Sequence, residues 1–351
     1  MKGLMLLFML FGLGITLGSD GDGSMTVTDL APAIELPAIV QEPTVSEPEE
    51  EPVEEPVFEL EEGGTYKVDI VASDILWESS KQPLYVDNWE LYSLAYKDAA
   101  DKVKYTLYSK SLKTKEEKSV VELTLEYDDP EVFYIHSSNA GGYIAMGAAW
   151  DGESFQYYLM SFGDDGTFLK KKSVKEMYKM SPNSYFVGTP VSDGTYIYAS
   201  YQDGASGGIL LFDTEFNFLK KLADSSSASV CIGKDGFAYL LDGYTCKLTA
   251  YNPDNDEFTD TLADNVYGYS LFNGMDGELL FCYDDIYSYN YRTGILTKLL
   301  SLEDFGIDSD LLYDVDIMYR DINGDIVVVY KSFNDDSYTS VEAYEARFSL
   351  E

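Results

Sequence analysis

A single histidine, three cysteines and three arginines in 351 residues leave little from which to assemble the common catalytic sites. His136 lies on an apolar run, Phe133 to Ser137, with no cysteine or second histidine to share a metal. Unless His136 is itself the base, no Ser-His-Asp or Cys-His couple can form, and no Gly-x-Ser-x-Gly elbow accompanies it. Cys231, Cys246 and Cys282 are too few for a disulfide scaffold and read as small apolar residues on strands. Positive charge is equally scarce: 24 Lys and Arg stand against 62 Asp and Glu, a formal charge of -38. With only Arg292, Arg320 and Arg347 for bidentate contacts, such a chain repels a phosphate backbone, which excludes nucleic acid as a partner. Small anionic substrates are disfavoured for the same reason, and cationic or neutral partners are favoured.

What the amino terminus does have is Met1-Lys2 followed by the apolar run Gly3 to Leu17, with Thr16 and Gly18 as small residues before a cleavage point at Ser19. Residues 1–18 therefore read as a secretory signal, too short to cross a ~30 Å hydrocarbon core comfortably. The layout resembles that of bacterial lipoproteins, but Ser19 stands where their acylated cysteine would be, so export without a lipid anchor is expected. No membrane domain is expected beyond the signal, and an uncleaved signal would retain the protein at the membrane. Residues 19–64 then hold 14 acidic residues, no basic one and six of the eleven prolines. That segment cannot bury enough apolar surface to fold and is expected to be a disordered acidic linker, able to reach about 140 Å at ~3.1 Å per residue.

From residue 65 to 351 the texture changes to short aromatic and β-branched runs broken by Gly, Asp and Asn, with no long helical period. Tight-turn pairs recur at Asp87-Asn88, Gly141-Gly142, Asp193-Gly194, Asp235-Gly236, Asp276-Gly277 and Asn323-Gly324, 41 to 54 residues apart. Asp-Gly and Asn-Gly supply the positive φ that two-residue hairpins need, and each is followed by a strongly apolar strand. Six such units match the blade length of a β-propeller, so the predicted fold is all-β, six blades of four antiparallel strands. The last unit ends one strand short at Glu351, and the spare strand is residues 65–71; pairing the two would close the ring and leave no open joint.

The strand-turn pattern of Leu210-Leu211-Phe212-Asp213-Thr214, Thr249-Ala250-Tyr251-Asn252 and Tyr289-Asn290-Tyr291-Arg292-Thr293-Gly294 resembles bacterial propellers of the PQQ-like and YVTN-like kind. The resemblance covers residues 65–351 and implies the architecture; it carries over no catalytic or cofactor residue, and no cofactor is expected. Asp321-Ile322-Asn323-Gly324-Asp325 and Asp254-Asn255-Asp256-Glu257 offer clustered oxygen ligands, yet both fall on hairpin turns, where Asp and Asn are expected for turn chemistry. The expected site is a rim formed by the loops after the second and fourth strands, comprising Trp77, Asp128, Asp129, Trp150, Tyr201, Tyr244, Tyr267, Asp284 and Asp285. Aromatics beside carboxylates suit sugars, peptides or cationic groups. The sequence thus points to an exported, non-enzymatic binding module for a protein or glycan at the cell surface. The competing reading is a glycosidase or lyase with carboxylates at the propeller axis.

Overall fold

The computed structural model describes residues 60–350 apart from 73–80, 88–89, 100–101, 127–128, 139, 179–180, 182–183, 205, 226–227, 265, 267, 269, 276, 309–310 and 334–340. The expected signal and nearly all of the expected linker, with Trp77, Asp128 and Tyr267, lie outside the described residues. The described strands form six sheets. The first blade is β3 (Lys81–Asp87), β4 (Glu90–Ala99), β5 (Lys102–Ser111) and β6 (Glu117–Glu126), and the second is β7 (Glu131–Ser137), β8 (Tyr143–Trp150), β9 (Phe155–Phe162) and β10 (Phe168–Ser173). A single helical turn, α1 (Val174–Met177), leads to the third blade, β11 (Tyr185–Ser192), β12 (Tyr196–Asp203), β13 (Ser206–Asp213) and β14 (Phe218–Ala223). The fourth is β15 (Ala228–Ile232), β16 (Ala238–Asp242), β17 (Lys247–Asn252) and β18 (Glu257–Phe258). The fifth is β19 (Ser270–Asn273), β20 (Glu278–Cys282), β21 (Asp285–Asn290) and β22 (Ile295–Ser301). In the sixth, β23 (Leu312–Arg320), β24 (Ile326–Phe333) and β25 (Val341–Leu350) are completed by β2 (Tyr66–Ala72), which runs antiparallel to β25 from Tyr66 opposite Leu350 to Ala72 opposite Tyr344.

The turn pairs sit between the first and second strands of every blade. Gly142, Gly194, Gly236, Gly277 and Gly324 all have φ between 71° and 94° there, the conformation for which the Gly was required. The second strand that follows is covered on both faces, so its residues are buried almost without interruption, and alternate side chains enter different interfaces. On β24, Ile326, Val328 and Tyr330 join Leu280 and Cys282 of the fifth blade, while Val327 and Val329 join Leu91 and Leu112 of the first. On β16, Tyr239 and Leu241 face the fifth blade, and Ala238 and Leu240 the third. On β8, Ala145 meets the first blade, and Ile144 and Met146 meet the third. Six apolar clusters therefore fill six joints, and the innermost strands touch in the order β3, β7, β11, β15, β19, β23 and back to β3. That closed circuit is a six-bladed β-propeller.

Two features depart from the sequence reading. Pairing starts at Leu60, ahead of residue 65: β1 (Leu60–Glu62) lies parallel to β22 as a fifth strand on the fifth blade, with Leu60 opposite Leu296 and the Gly63 N–H donating to the Lys298 carbonyl at 2.6 Å. The end of the acidic segment is thus part of the domain: the edge of β22 presents unpaired N–H and C=O groups, and the extended backbone of residues 60–62 pairs with them. The fourth strand of the fourth blade is also short of a full outer strand, at two residues. At Thr259 the amide still donates to the Ala250 carbonyl at 2.8 Å, but the Ala250 amide donates to the Thr259 hydroxyl at 3.1 Å in place of a backbone carbonyl, so the regular ladder ends after Phe258 and pairing returns only as a bridge between Leu248 and Ala263.

Lysines on the outer strands tie neighbouring blades together. From β10, Lys170 pairs with Glu215 at 2.7 Å and Lys172 donates to Asn217 at 3.0 Å, both in the next blade's outer turn. From β14, Lys220 pairs with Asp256 of the fourth blade. Tyrosines act within their own blades: the hydroxyls of Tyr239, Tyr251 and Tyr198 donate to Asp235, Asp256 and Asp193 at 2.7, 2.7 and 3.2 Å, joining an apolar strand position to a turn carboxylate.

Candidate functional site

Because successive strands alternate in direction, the connections after second and fourth strands share one end of the propeller, and the turns after first and third strands share the other. The rim expected from sequence belongs to the first of these ends. There, Trp150 and Phe155 face each other as a cross-strand pair at the mouth of the β8–β9 turn, edge to face, with ring centroids 5.1 Å apart. They remain 59% and 39% exposed. Between them Asp151 accepts hydrogen bonds at 2.9 Å from the amides of Glu153 and Ser154 and at 2.7 Å from the Gln156 side chain. The Ser154 and Glu153 amides hold its carboxyl below the usual range, so it stays ionised. Tyr244, at the tip of the β16–β17 hairpin, is 85% exposed. Its turn is built by Asp242, which accepts from the Tyr244 and Thr245 amides at 2.9 and 3.2 Å.

The other expected residues divide. Asp284 is exposed on the β20–β21 turn. Asp285 pairs with Lys298 at 2.7 Å, and Asp129 with Lys171, so both carboxylates are engaged within the propeller. Tyr201 is corrected: it is 4% exposed, packed edge to face on Tyr178 at 5.7 Å beneath the Lys221 ammonium. Its place on β12 sends it into the joint with the second blade, and that burial removes it from the rim surface. Neighbouring connections at this end are acidic: Glu176 follows α1's first residues, and Glu303, Asp304 and Asp308 lie between the fifth and sixth blades. Lys175 is the one basic side chain among the described residues of these connections.

Elsewhere the chemistry is consumed by structure. Asp321 receives the Asn323 and Asp325 amides and pairs with Arg347, and Asp256 is held by Lys220 and Tyr251, so both oxygen-rich turns carry their own partners. An open groove of about 400 Å³ between β6 and the β9–β10 turn contains Glu122 and Glu126, already paired with Lys104 and Lys102. Burial pushes the thiols of Cys231 and Cys282 up to about 12, which leaves them inert, whereas Cys246 sits on the β16–β17 turn with φ of 57°.

Two carboxyls on innermost strands stand apart. Desolvation raises Glu131, at the head of β7. Asp316 is the extra residue of a bulge in β23, between Val315 opposite Tyr330 and Ile317 opposite Val329. One of its oxygens takes Lys331 at 2.8 Å; the other is closed off from solvent without a partner, and burial outweighs the lysine's attraction, so its pKa is raised. A raised carboxyl binds its proton more tightly in the folded state, so its effect on stability turns unfavourable as pH climbs from the unfolded pKa through the folded one. Asp316→Asn is therefore expected to gain on the wild type from about pH 4 upward, by no more than ~1.4 kcal/mol per pH unit, and to level off above the folded pKa. Urea midpoints of both proteins across that range check it; a difference independent of pH would refute it.

No protein-family model and no curated protein sequence matches this chain. Among solved structures, a selenomethionine form of virginiamycin B lyase from Staphylococcus aureus is similar at 12% identity and a TM-score of 0.46, over 82% of this chain and 100% of that one. The PQQ-bound aldose sugar dehydrogenase from Streptomyces coelicolor gives 10% and 0.44 over 82% and 100%, and the calcium-binding regucalcin from Agrobacterium tumefaciens gives 9% and 0.43 over 78% and 95%. The assignment of six blades rests on this chain's own strand order and interfaces. Among the described residues no helix is long and apolar enough to cross a membrane.

Proposed function

We propose that this protein is an exported module that binds a protein or glycan outside the cytoplasm, on the propeller end that carries the Trp150–Phe155 pair and Tyr244. The observation that carries this reading is the exposure of those aromatics on hairpins whose turns are fixed by Asp151 and Asp242. Large rings with few rotatable bonds, held on rigid turns, lose little freedom when a ligand covers them, which is the arrangement a preformed recognition surface needs. The amino-terminal signal and acidic linker support a role away from the cytoplasm, with the linker as a spacer.

Glycoside hydrolysis would need two carboxyls open to the same substrate about 5–10 Å apart. Asp316, the more deeply buried of the two raised carboxyls, has its free oxygen closed off, which favours binding over that chemistry. The test is isothermal titration of the full chain against a panel of cell-wall glycan fragments and short peptides, repeated with Trp150→Ala and Tyr244→Ala. At least one ligand class is expected to bind and to lose about tenfold or more in affinity with Trp150→Ala. Binding that ignores both substitutions, or new products in the mixture, would overturn the reading.

A further inference from the structure

We infer that the Trp150–Phe155 ledge takes a cationic side chain, the guanidinium or ammonium of an Arg- or Lys-bearing extended polypeptide; this rests on the rim reading above and names its ligand. The protein uses one triplet repeatedly in its own construction: an aromatic ring, a lysine ammonium over it, and a carboxylate that closes on the ammonium. Lys220 stands 4.4 Å from the Tyr251 ring and pairs with Asp256. Lys170 stands 5.1 Å from Phe216 and pairs with Glu215, and Lys221 stands 5.3 Å from Tyr201 and pairs with Asp224. Each satisfies the ring's negative face and the carboxylate with one cation.

The ledge presents the same ring and carboxylates without the cation. Trp150 and Phe155 are partly open to solvent, and no Lys or Arg stands over either ring among the described residues. Asp151 lies in the turn that joins them, kept ionised by its two amide donors, and Glu153 beside it is exposed and makes no ion pair among the described residues. Lys175 acts on Asp151 at longer range and occupies neither ring. An incoming cation would complete the triplet that Lys220, Lys170 and Lys221 complete elsewhere. Both rings of the ledge are open to solvent, so a small free amine on it would keep most of its own solvent and gain little. A chain laid across the acidic end, with one cation on the ledge and others toward Glu176 and Glu303, gathers several weak contacts into one affinity.

The experiment uses the full chain and three probes in isothermal titration at 0.15 M salt: acetyl-(Gly-Arg)4-amide, acetyl-(Gly-Gln)4-amide and argininamide. The Arg peptide is expected to bind at least about tenfold more tightly than either of the others. Trp150→Ala, which changes no charge, is expected to weaken the Arg peptide about fivefold or more, and Glu153→Gln about threefold. Asp254→Asn, the same loss of charge on an exposed turn at the opposite end, is expected to change it by less than about twofold. Equal binding of the Arg and Gln peptides, or an Arg preference untouched by Trp150→Ala, would overturn the inference, the second outcome meaning diffuse attraction to a polyanion. If Trp150→Ala weakens the Gln peptide or a neutral glycan with no preference for Arg, the cation inference falls and the rim reading stands. If Trp150 matters to no probe, both fall.

Discussion

Arg320→Ala is expected to cost about 3–5 kcal/mol of unfolding free energy, a large share of what a domain of this kind possesses. Arg320 ends the innermost strand of the sixth blade and Glu278 begins the second strand of the fifth, and their side chains are only 17% and 10% exposed. The guanidinium donates through Nε at 3.0 and 2.7 Å to the two Glu278 oxygens and through a second nitrogen at 2.7 Å, while its remaining nitrogen takes the Gly324 carbonyl at 2.9 Å. Glu278 is fixed from its own blade by the Ser288 hydroxyl at 2.6 Å and the Met275 amide at 3.1 Å. Truncating the arginine leaves a buried carboxylate with its main donor gone, and the penalty is that of an unpaired charge rather than the worth of the bond. The double variant Arg320→Met, Glu278→Met removes both charges, and is expected to recover most of the loss. Chemical denaturation of the two variants checks this; a single substitution costing under about 1 kcal/mol would show that Glu278 finds water instead.

The architecture was legible because a propeller writes the same punctuation into each blade. Gly194, Gly236, Gly277 and Gly324 mark hairpins whose φ no other residue adopts cheaply, and the apolar strand after each had to be covered on both faces. Near Asp87 the signal was weaker: β3 runs through Asp87 to pair with Glu90, so the turn lies one residue later than the dipeptide suggests. The candidate site was legible in part. Trp150 and Tyr244 stand out because they flank or occupy Asp-built turns, whereas Tyr201 carries the same composition around it and is buried, since the face to which a strand residue points depends on register against a neighbouring blade. Partners such as Arg320 with Glu278, 42 residues apart, or Lys220 with Asp256, 36 apart, were beyond reach because they follow from how blades are stacked, which local pattern does not encode.

Removing residues 1–72 is expected to abolish the stable monomer, and a peptide of residues 60–72 supplied in trans is expected to restore it. The peptide carries both amino-terminal strands. β2 gives the sixth blade its outer ladder along seven residue pairs with β25, and Tyr66 and Val68 pack on the cluster that includes Phe348, Ile326 and Leu280. β1 does the same for the fifth blade, so a single thirteen-residue stretch caps two adjacent outer edges, with Gly63 between them placed so that a Cβ there would come within 2.6 Å of the Leu299 carbonyl oxygen and force that backbone to shift. Without it, the ten residues of β25 become a bare edge with apolar neighbours, the condition under which sheets pair with copies of themselves. Light scattering and the unfolding midpoint of residues 73–351, with and without the peptide, measure this. A version with Val68→Asp and Tyr66→Asp is expected to fail, because backbone pairing alone leaves the cluster open. If residues 73–351 stay monomeric with the midpoint of the full chain, the blades are held by their six joints and the closing strand contributes little; a rescue by the wild-type peptide alone would locate the cooperativity of the ring in the strand that closes it.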